Sequence, residues 1–197
     1  MQTPLRKAPS RRARHNDIAY EIRTAERTDI PAMRIMQERS MRILGSRYYM
    51  RSELDAFINI VGTMDDAVVD EGRFFIAVAL KRAVIGCGAL SNLVPGHARV
   101  GGRADAAPAH GPATVRSVFV APECTRRGIA HAIMQRIESE AAAWGLHQLQ
   151  LTATLSGEDF YRALGYAGEP RSHVLLPDGT RFGCVKMHKP LAIPTAA

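Results

Sequence analysis

The chain has 197 residues, 46% apolar and 23% charged with a net charge of +7, an ordinary globular composition long enough for one domain with a full core. No apolar run approaches the roughly 20 residues that cross a bilayer, and the first 17 residues lack the apolar stretch of a secretory signal. Cys87, Cys124 and Cys184 are odd in number and far apart, which excludes a disulfide framework and a CxxC metal pair and points to a reducing, cytoplasmic setting.

Residues 1–16 hold Arg6, Lys7, Arg11, Arg12 and Arg14 with no acid, so only +2 of the net charge belongs to the rest. With Pro4, Pro9 and Ser10 and little to bury, residues 1–17 read as a disordered basic tail. Such an arm can touch RNA, DNA or a membrane surface weakly, or act only as a solubilising leader. The nearly balanced body argues against a specific nucleic-acid partner. Residues 18–190 read as a single domain and 191–197 as a C-terminal tail.

"AYEIRTA" (19–25) alternates Tyr20 and Ile22 with polar residues, as a half-buried strand does. A helix follows, with Asp29 as N-cap, Pro31 in the first turn, Ile30, Met33, Met36 and Leu44 near one stripe, and Gly45 as the stop. "SELDAFINIVG" spaces Leu54, Phe57, Ile58 and Val61 for a second helix behind a Ser52 cap. "RFFIAVAL" (73–80) and "AVIGCGAL" (83–90) form a hairpin, and 94–113 is a long Gly/Pro/Ala-rich loop. "TVRSVFV" (114–120) is a strand. From Gly128 to Trp144 the pattern is helical, with Ala130, Ile133, Met134, Ile137, Ala141 and Trp144 on the apolar face and Gly145 after it. "HQLQLTAT" (147–154) is a strand, 157–164 a short helix before Gly165, and Pro177-Asp178-Gly179 a turn between two last strands. The order gives an α/β (α+β) fold with a mixed sheet. Its one crossover helix joins two strands that must be parallel.

"VFVAPECTRRGIAHAIM" (118–134) takes a strand directly into a helix through Arg126-Arg127-Gly128. A helix start offers unpaired N–H groups and the positive end of the helix dipole, a site for phosphate. Gly128 permits close approach and the two arginines add charge. No GxxxxGK[ST] and no GxGxxG is present, so the stretch is a shorter cradle suited to a pyrophosphate, or a plain loop with surface arginines.

The stretch "VAP-EC-TRRGIA" followed by "LTATLSGEDFYRALGY" and a closing "FGCVKMHKPL" resembles the GNAT superfamily of acetyl-CoA-dependent N-acetyltransferases over roughly residues 20–190. The usual signature runs V-x-P, [QR]-x-x-G-x-[GA], then an aromatic-Tyr pair before L-G-[FY]. Thr125 stands here where the family has Gln or Arg, leaving Arg126 or Arg127 to supply that contact. The resemblance implies a largely antiparallel sheet with one parallel strand pair at the cofactor site, flanked by helices. It also implies acetyl transfer from acetyl-CoA to a primary amine by direct attack in a ternary complex. The cofactor-binding residues it implies are Val118, Phe119, Val120, Arg126, Arg127, Gly128, Ile129, Ala130 and Thr154.

The amine must be neutral although its free pKa is about 10.4. The oxyanion needs a donor such as a backbone N–H of the Val118-Phe119-Val120 strand, at a point where the family's strand is splayed. Tyr161 matches the family's tyrosine and can donate to the departing thiolate, or it only packs with its hydroxyl hydrogen-bonded. Phe160, Leu164 and Cys87 read as core residues. Some members carry a glutamate on the central strand, but Thr114-Val115-Arg116-Ser117 has no acid. Glu53, Glu158, the histidines or a water chain stay open as general base. His97 and His110 lie in the Gly/Pro-rich loop with no metal-ligand spacing, His131 and His147 read as surface residues, and Cys124 beside the turn is not made a nucleophile by anything around it. The acceptor falls to 29–62, with Tyr48 and Tyr49 as a cation or ring contact or as packing, plus the loop 94–113. It is a small-molecule or peptide amine. A homodimer is possible, and an acyl-CoA-binding or sensing module of the same fold is the alternative to an enzyme.

Overall fold

The computed structural model describes residues 18–80, 82–93 and 113–191. The basic tail at 1–17, the loop residues 94–112 with His97 and His110, and the end of the chain from 192 lie outside the described residues, and with them the expectations made for those segments.

The first four strands form an antiparallel run: β1 (Tyr20–Thr24), β2 (Phe74–Ala79), β3 (Val84–Ser91) and β4 (Thr114–Val120). β4 is parallel to β5 (Gln148–Thr154), and β8 (Arg181–Pro190) returns antiparallel to β5. The short strands β6 (Ala167–Gly168) and β7 (Ser172–Leu175) also pair with β8. All eight belong to one sheet of order β1-β2-β3-β4-β5-β8-β6, with β7 off this path on β8. This is the mixed, largely antiparallel sheet with one parallel pair that the sequence implies.

The helices are α1 (Ile30–Gly45), α2 (Arg51–Ala56), α3 (Ala67–Asp70), α4 (Ile129–Ala143) and α5 (Glu158–Ala163). Strand alternation assigns α1 and α4 to opposite faces of β3. A Cβ on Gly86 or Gly88 would stand 2.7 or 2.8 Å from methyl carbons of Ile129 or Ile133 on α4. Cys87, between them, points the other way and meets Gln37 of α1 at 3.2 Å. The two glycines therefore let α4 lie close on the sheet. Its Ile129, Ile133, Met134 and Ile137 join Phe74, Phe75 and Leu149 in the main core. A second core joins Met41, Tyr49 and Leu54 to Leu176 and Phe182.

Several local expectations are corrected. Asp29 precedes α1, but its carboxylate takes the Arg23 guanidinium and the Glu26 N–H and makes no cap bond to the helix. Met50, not Ser52, precedes α2, and Glu53 folds back to accept the Met50 N–H at 2.7 Å. The second helix loosens into a wider π-helical turn at Phe57–Val61, and α3 and β6 are additions too short to show a periodicity. Trp144 leaves the apolar face: it is 40% exposed, with the Arg73 guanidinium 3.6 Å over its ring, a cation–π contact.

Candidate functional site

β4 and β5 are held together at one residue pair, Thr114 with Gln150, and the Gln150 side-chain amide donates to Thr114 Oγ1 at 3.2 Å. Beyond it no pairing joins the two strands, whereas β5 stays paired to β8 as far as Thr154. On its other edge β4 slips register: Cys87 faces Phe119 but Ala89 faces Arg116. One residue of β3 thus opposes two of β4, a bulge, and Ser117 in it takes a left-handed φ of 50°. The Ala121 N–H donates to Ile85 O at 2.9 Å, towards β3. By alternation the Val120 N–H faces the opposite way, into the gap between β4 and β5.

β4 ends in a 3₁₀ turn, Pro122–Cys124, which Thr125 closes by donating its hydroxyl to Pro122 O at 3.1 Å. Arg126 (φ 61°) and Gly128 (φ 79°) are both left-handed, and α4 starts at the next residue. The first helical bond runs from Ala132 N–H to Gly128 O at 2.9 Å, so the N–H groups of Ile129 and Ala130 lie ahead of it at the positive end of the dipole. The first turn holds no acid, and a Cβ on Gly128 would meet nothing within 4 Å. Glu123, the one carboxylate in the preceding turn, is tied to Arg39 of α1 at 2.9 Å, which holds its carboxyl below the usual range. Arg126 and Arg127 are exposed, while Cys124 is buried beneath the turn, and burial pushes its thiol up.

At the far end of β5, Thr154 and Tyr161 come together. The Cβ position of Gly157 is 3.3 Å from a Tyr161 ring carbon and 3.5 Å from Thr154 Oγ1. Thr154 Oγ1 shares a hydrogen bond with Ser156 Oγ at 3.0 Å. Tyr161 is buried edge-on against Phe160 and Tyr166, at ring separations of 5.1 and 5.8 Å. Burial raises its phenol above the ordinary range, with a smaller contribution from the nearby Cys87 thiol. Its hydroxyl makes no hydrogen bond among the described residues and is not sealed in the core, unlike the Tyr166 hydroxyl, which is fully buried without a partner. Phe160 and Leu164 are half-buried against the core.

The candidate bases fall elsewhere. Glu158 is buried and bound by Arg162 at 2.9 Å and Arg171 at 2.8 Å, and these bonds hold its carboxyl low, the opposite of what a base needs. Glu53 is spent on the α2 cap. His131 and His147 are exposed on α4 and just after it. Tyr49 proves to be packing: its ring stacks on Phe182 at 4.2 Å, its hydroxyl donates to Gly183 O, and it accepts from Leu155 N–H, both at 2.7 Å. Tyr48 is 47% exposed.

Sequence reasoning missed a buried polar group beside the bulge. Gln37, fully buried on α1, donates to Cys87 Sγ at 3.2 Å and accepts from Thr63 Oγ1 at 2.8 Å. The signal was available: Gln37 and Ser40 lie on the same stripe as Met33, Met36 and Met41, where an ordinary amphipathic helix has only apolar residues.

A sequence profile of the acetyltransferase (GNAT) family matches residues 31–166, more than half of the chain. No curated protein matches the chain in sequence. A GCN5-related N-acetyltransferase from Rhodopseudomonas palustris is similar in structure, with a TM-score of 0.69 at 19% identity over 90% of this chain and 99% of that one. The PaiA N-acetyltransferase of Thermoplasma acidophilum, solved with coenzyme A, superposes with a TM-score of 0.63 at 17% identity, over 88% of this chain and 99% of that one. A phosphinothricin acetyltransferase from Sinorhizobium meliloti, solved with acetyl-CoA, gives 0.55 at 18% identity, over 90% and 91%. The splayed parallel pair, the bulge beside it and the turn into α4 thus occur in a chain that belongs to the acetyltransferase (GNAT) family of enzymes.

Proposed function

We propose that the protein transfers the acetyl group of acetyl-CoA to a primary amine by direct attack, with both substrates bound at once. The observation that carries this reading is the gap between β4 and β5, with a left-handed turn into α4 following the first strand and Tyr161 following the second. In this reading Arg126, Arg127, Gly128, Ile129 and Ala130 hold the pyrophosphate, chiefly through backbone N–H groups. Val118, Phe119 and Val120 line the pantetheine and thioester, and Thr154 meets the cofactor from β5. A backbone donor of β4 stabilises the oxyanion, needing no reorganisation because the strand already holds it in place. Tyr161 gives a proton or a hydrogen bond to the departing thiolate. The proton released by the amine leaves through water, since β4 itself carries no acid and Glu53 and Glu158 are bound elsewhere.

The missing base favours one second reading, an acyl-CoA-binding or sensing module that turns over weakly. Release of CoA is followed with acetyl-CoA and a panel of spermidine, an aminoglycoside, L-lysine and an alanine-initiated peptide. Saturable release with one of them is the expected result, while tight acetyl-CoA binding with no release from any would favour the module.

A further inference from the structure

Four side chains close a ring behind the β4 bulge. Gln37 of α1 donates from Nε2 to Cys87 Sγ of β3 at 3.2 Å. The Cys87 thiol donates to Ser117 O in the bulge, also at 3.2 Å. Ser117 Oγ donates to Thr63 O at 3.0 Å, and Thr63 Oγ1 donates back to Gln37 Oε1 at 2.8 Å. Donors and acceptors match only in this sense. A flipped Gln37 amide would set its carbonyl oxygen to accept from the Cys87 S–H and leave Ser117 O without its donor. Burial pushes the thiol up to about 12, so it stays a donor throughout the working range. Gln37 and Cys87 are both 0% exposed. An amide taken that far out of water is costly unless its hydrogen bonds are met, and a leucine would suit its methionine-lined stripe better. The ring also holds a non-glycine residue, Ser117, at φ 50°, a conformation that L residues rarely adopt.

We propose that Gln37 is a positioning residue: through Cys87 and Thr63 it locks the left-handed bulge at Ser117 and so sets the direction of the β4 backbone N–H groups that face the thioester. The proposal rests on the acetyl-transfer reading above. Gln37 touches no substrate in it, and what it fixes is the orientation of a donor whose contact matters most in the transition state.

The test is Gln37→Leu, measured beside the wild-type protein for melting temperature, acetyl-CoA affinity and steady-state constants with the best amine of the panel. In the folded variant kcat falls about 10- to 100-fold, the scale of a reacting group misplaced by an ångström. The acetyl-CoA KM stays within about threefold, because the pyrophosphate turn is untouched. Glycine holds a positive φ without support, so Gln37→Leu combined with Ser117→Gly recovers part of the lost kcat. Should Gln37→Leu not fold, Thr63→Val removes one bond of the ring and lowers kcat in the same direction. An active wild-type protein whose folded Gln37→Leu and Thr63→Val variants keep kcat within about twofold overturns the positioning role alone. So does a loss of kcat that Ser117→Gly leaves unrelieved, which marks Gln37 as merely structural. A wild-type protein that turns over no amine removes the reaction and the positioning role together.

Discussion

Tyr161 is buried against the edges of Phe160 and Tyr166, and its hydroxyl makes no hydrogen bond among the described residues. Tyr49 uses its hydroxyl twice, and the Tyr166 hydroxyl is sealed in the core without a hydrogen bond, whereas the Tyr161 hydroxyl is neither bonded nor sealed and so stays available to a ligand. Tyr161→Phe keeps the ring, so stability changes little, while kcat falls on the order of 10²-fold, the lower end for a general acid because a thiolate already leaves readily. The acetyl-CoA KM rises less than kcat falls. Burial raises the phenol above its ordinary 10.0, and an acid with a raised pKa loses its proton only at still higher pH. An alkaline fall in kcat below about pH 10 therefore belongs to another group and persists in Tyr161→Phe. A kcat within about twofold of wild type, with chemistry limiting, would return Tyr161 to packing. Gly128 makes a second test at this scale. Its left-handed φ strains most replacements, but aspartate tolerates that region better than most and meets no atom there. Gly128→Asp thus reports mainly charge. Acetyl-CoA affinity measured by calorimetry drops by about 1 kcal/mol or more, and added salt narrows the loss. Unchanged affinity in the folded variant would remove the pyrophosphate from this turn.

At the scale of elements, α4 ties the cofactor turn to the sheet. It lies where it does because β3 offers Gly86 and Gly88 beneath Ile129, Ile133 and Ile137. A methyl at position 88 would stand 2.8 Å from Ile133 Cγ2, and 3.1 Å from both Ile137 Cδ1 and Val118 Cγ2. Gly88→Ala therefore overpacks the interface and destabilises by about 1–3 kcal/mol in denaturant titration. Because the helix start moves with the helix, acetyl-CoA affinity drops as well. A variant as stable as the wild type would mean that α4 has room to shift without cost. The periodicity of α4 was legible in the sequence, and so were the strand before it and the glycine stop after it. The two glycines carried no such message, since "VIGCGAL" reads only as a strand. Their use as a seat for α4 depends on which face the helix covers.

Most of the net charge of the molecule lies at its start. Arg6, Lys7, Arg11, Arg12 and Arg14 carry +5 of the net +7. No helix among the described residues is long and apolar enough to cross a membrane. A protein lacking residues 1–16 is expected to bind acetyl-CoA with unchanged affinity and to keep its kcat. Loss of either would place part of the function in that arm. Ion pairs such as Arg27–Asp70 and Arg34–Asp66 tie the start of α1 and the turn before it to α3, but they are exposed and contribute little. The sheet and its helix layers depend instead on the two apolar cores.

The sequence by itself determined the alternation of apolar and polar residues, the glycine stops and the strand-to-helix turn at 125–128. These local patterns suffice for the fold class, the parallel pair and the family, because each is a property of a few neighbouring residues. Tertiary structure alone decided the rest. Tyr49 of the α1–α2 connection meets both Gly183 and Leu155, which the pairing of β5 with β8 brings side by side. Glu158 lost its place as a base because Arg171, thirteen residues on, folds back onto it. The ring of Gln37, Thr63, Cys87 and Ser117 joins residues up to 80 positions apart. Hydrogen bonds of that reach have no period in the chain, and the fold creates them by bringing α1, the segment after Phe57–Val61 and the neighbouring strands β3 and β4 to one place.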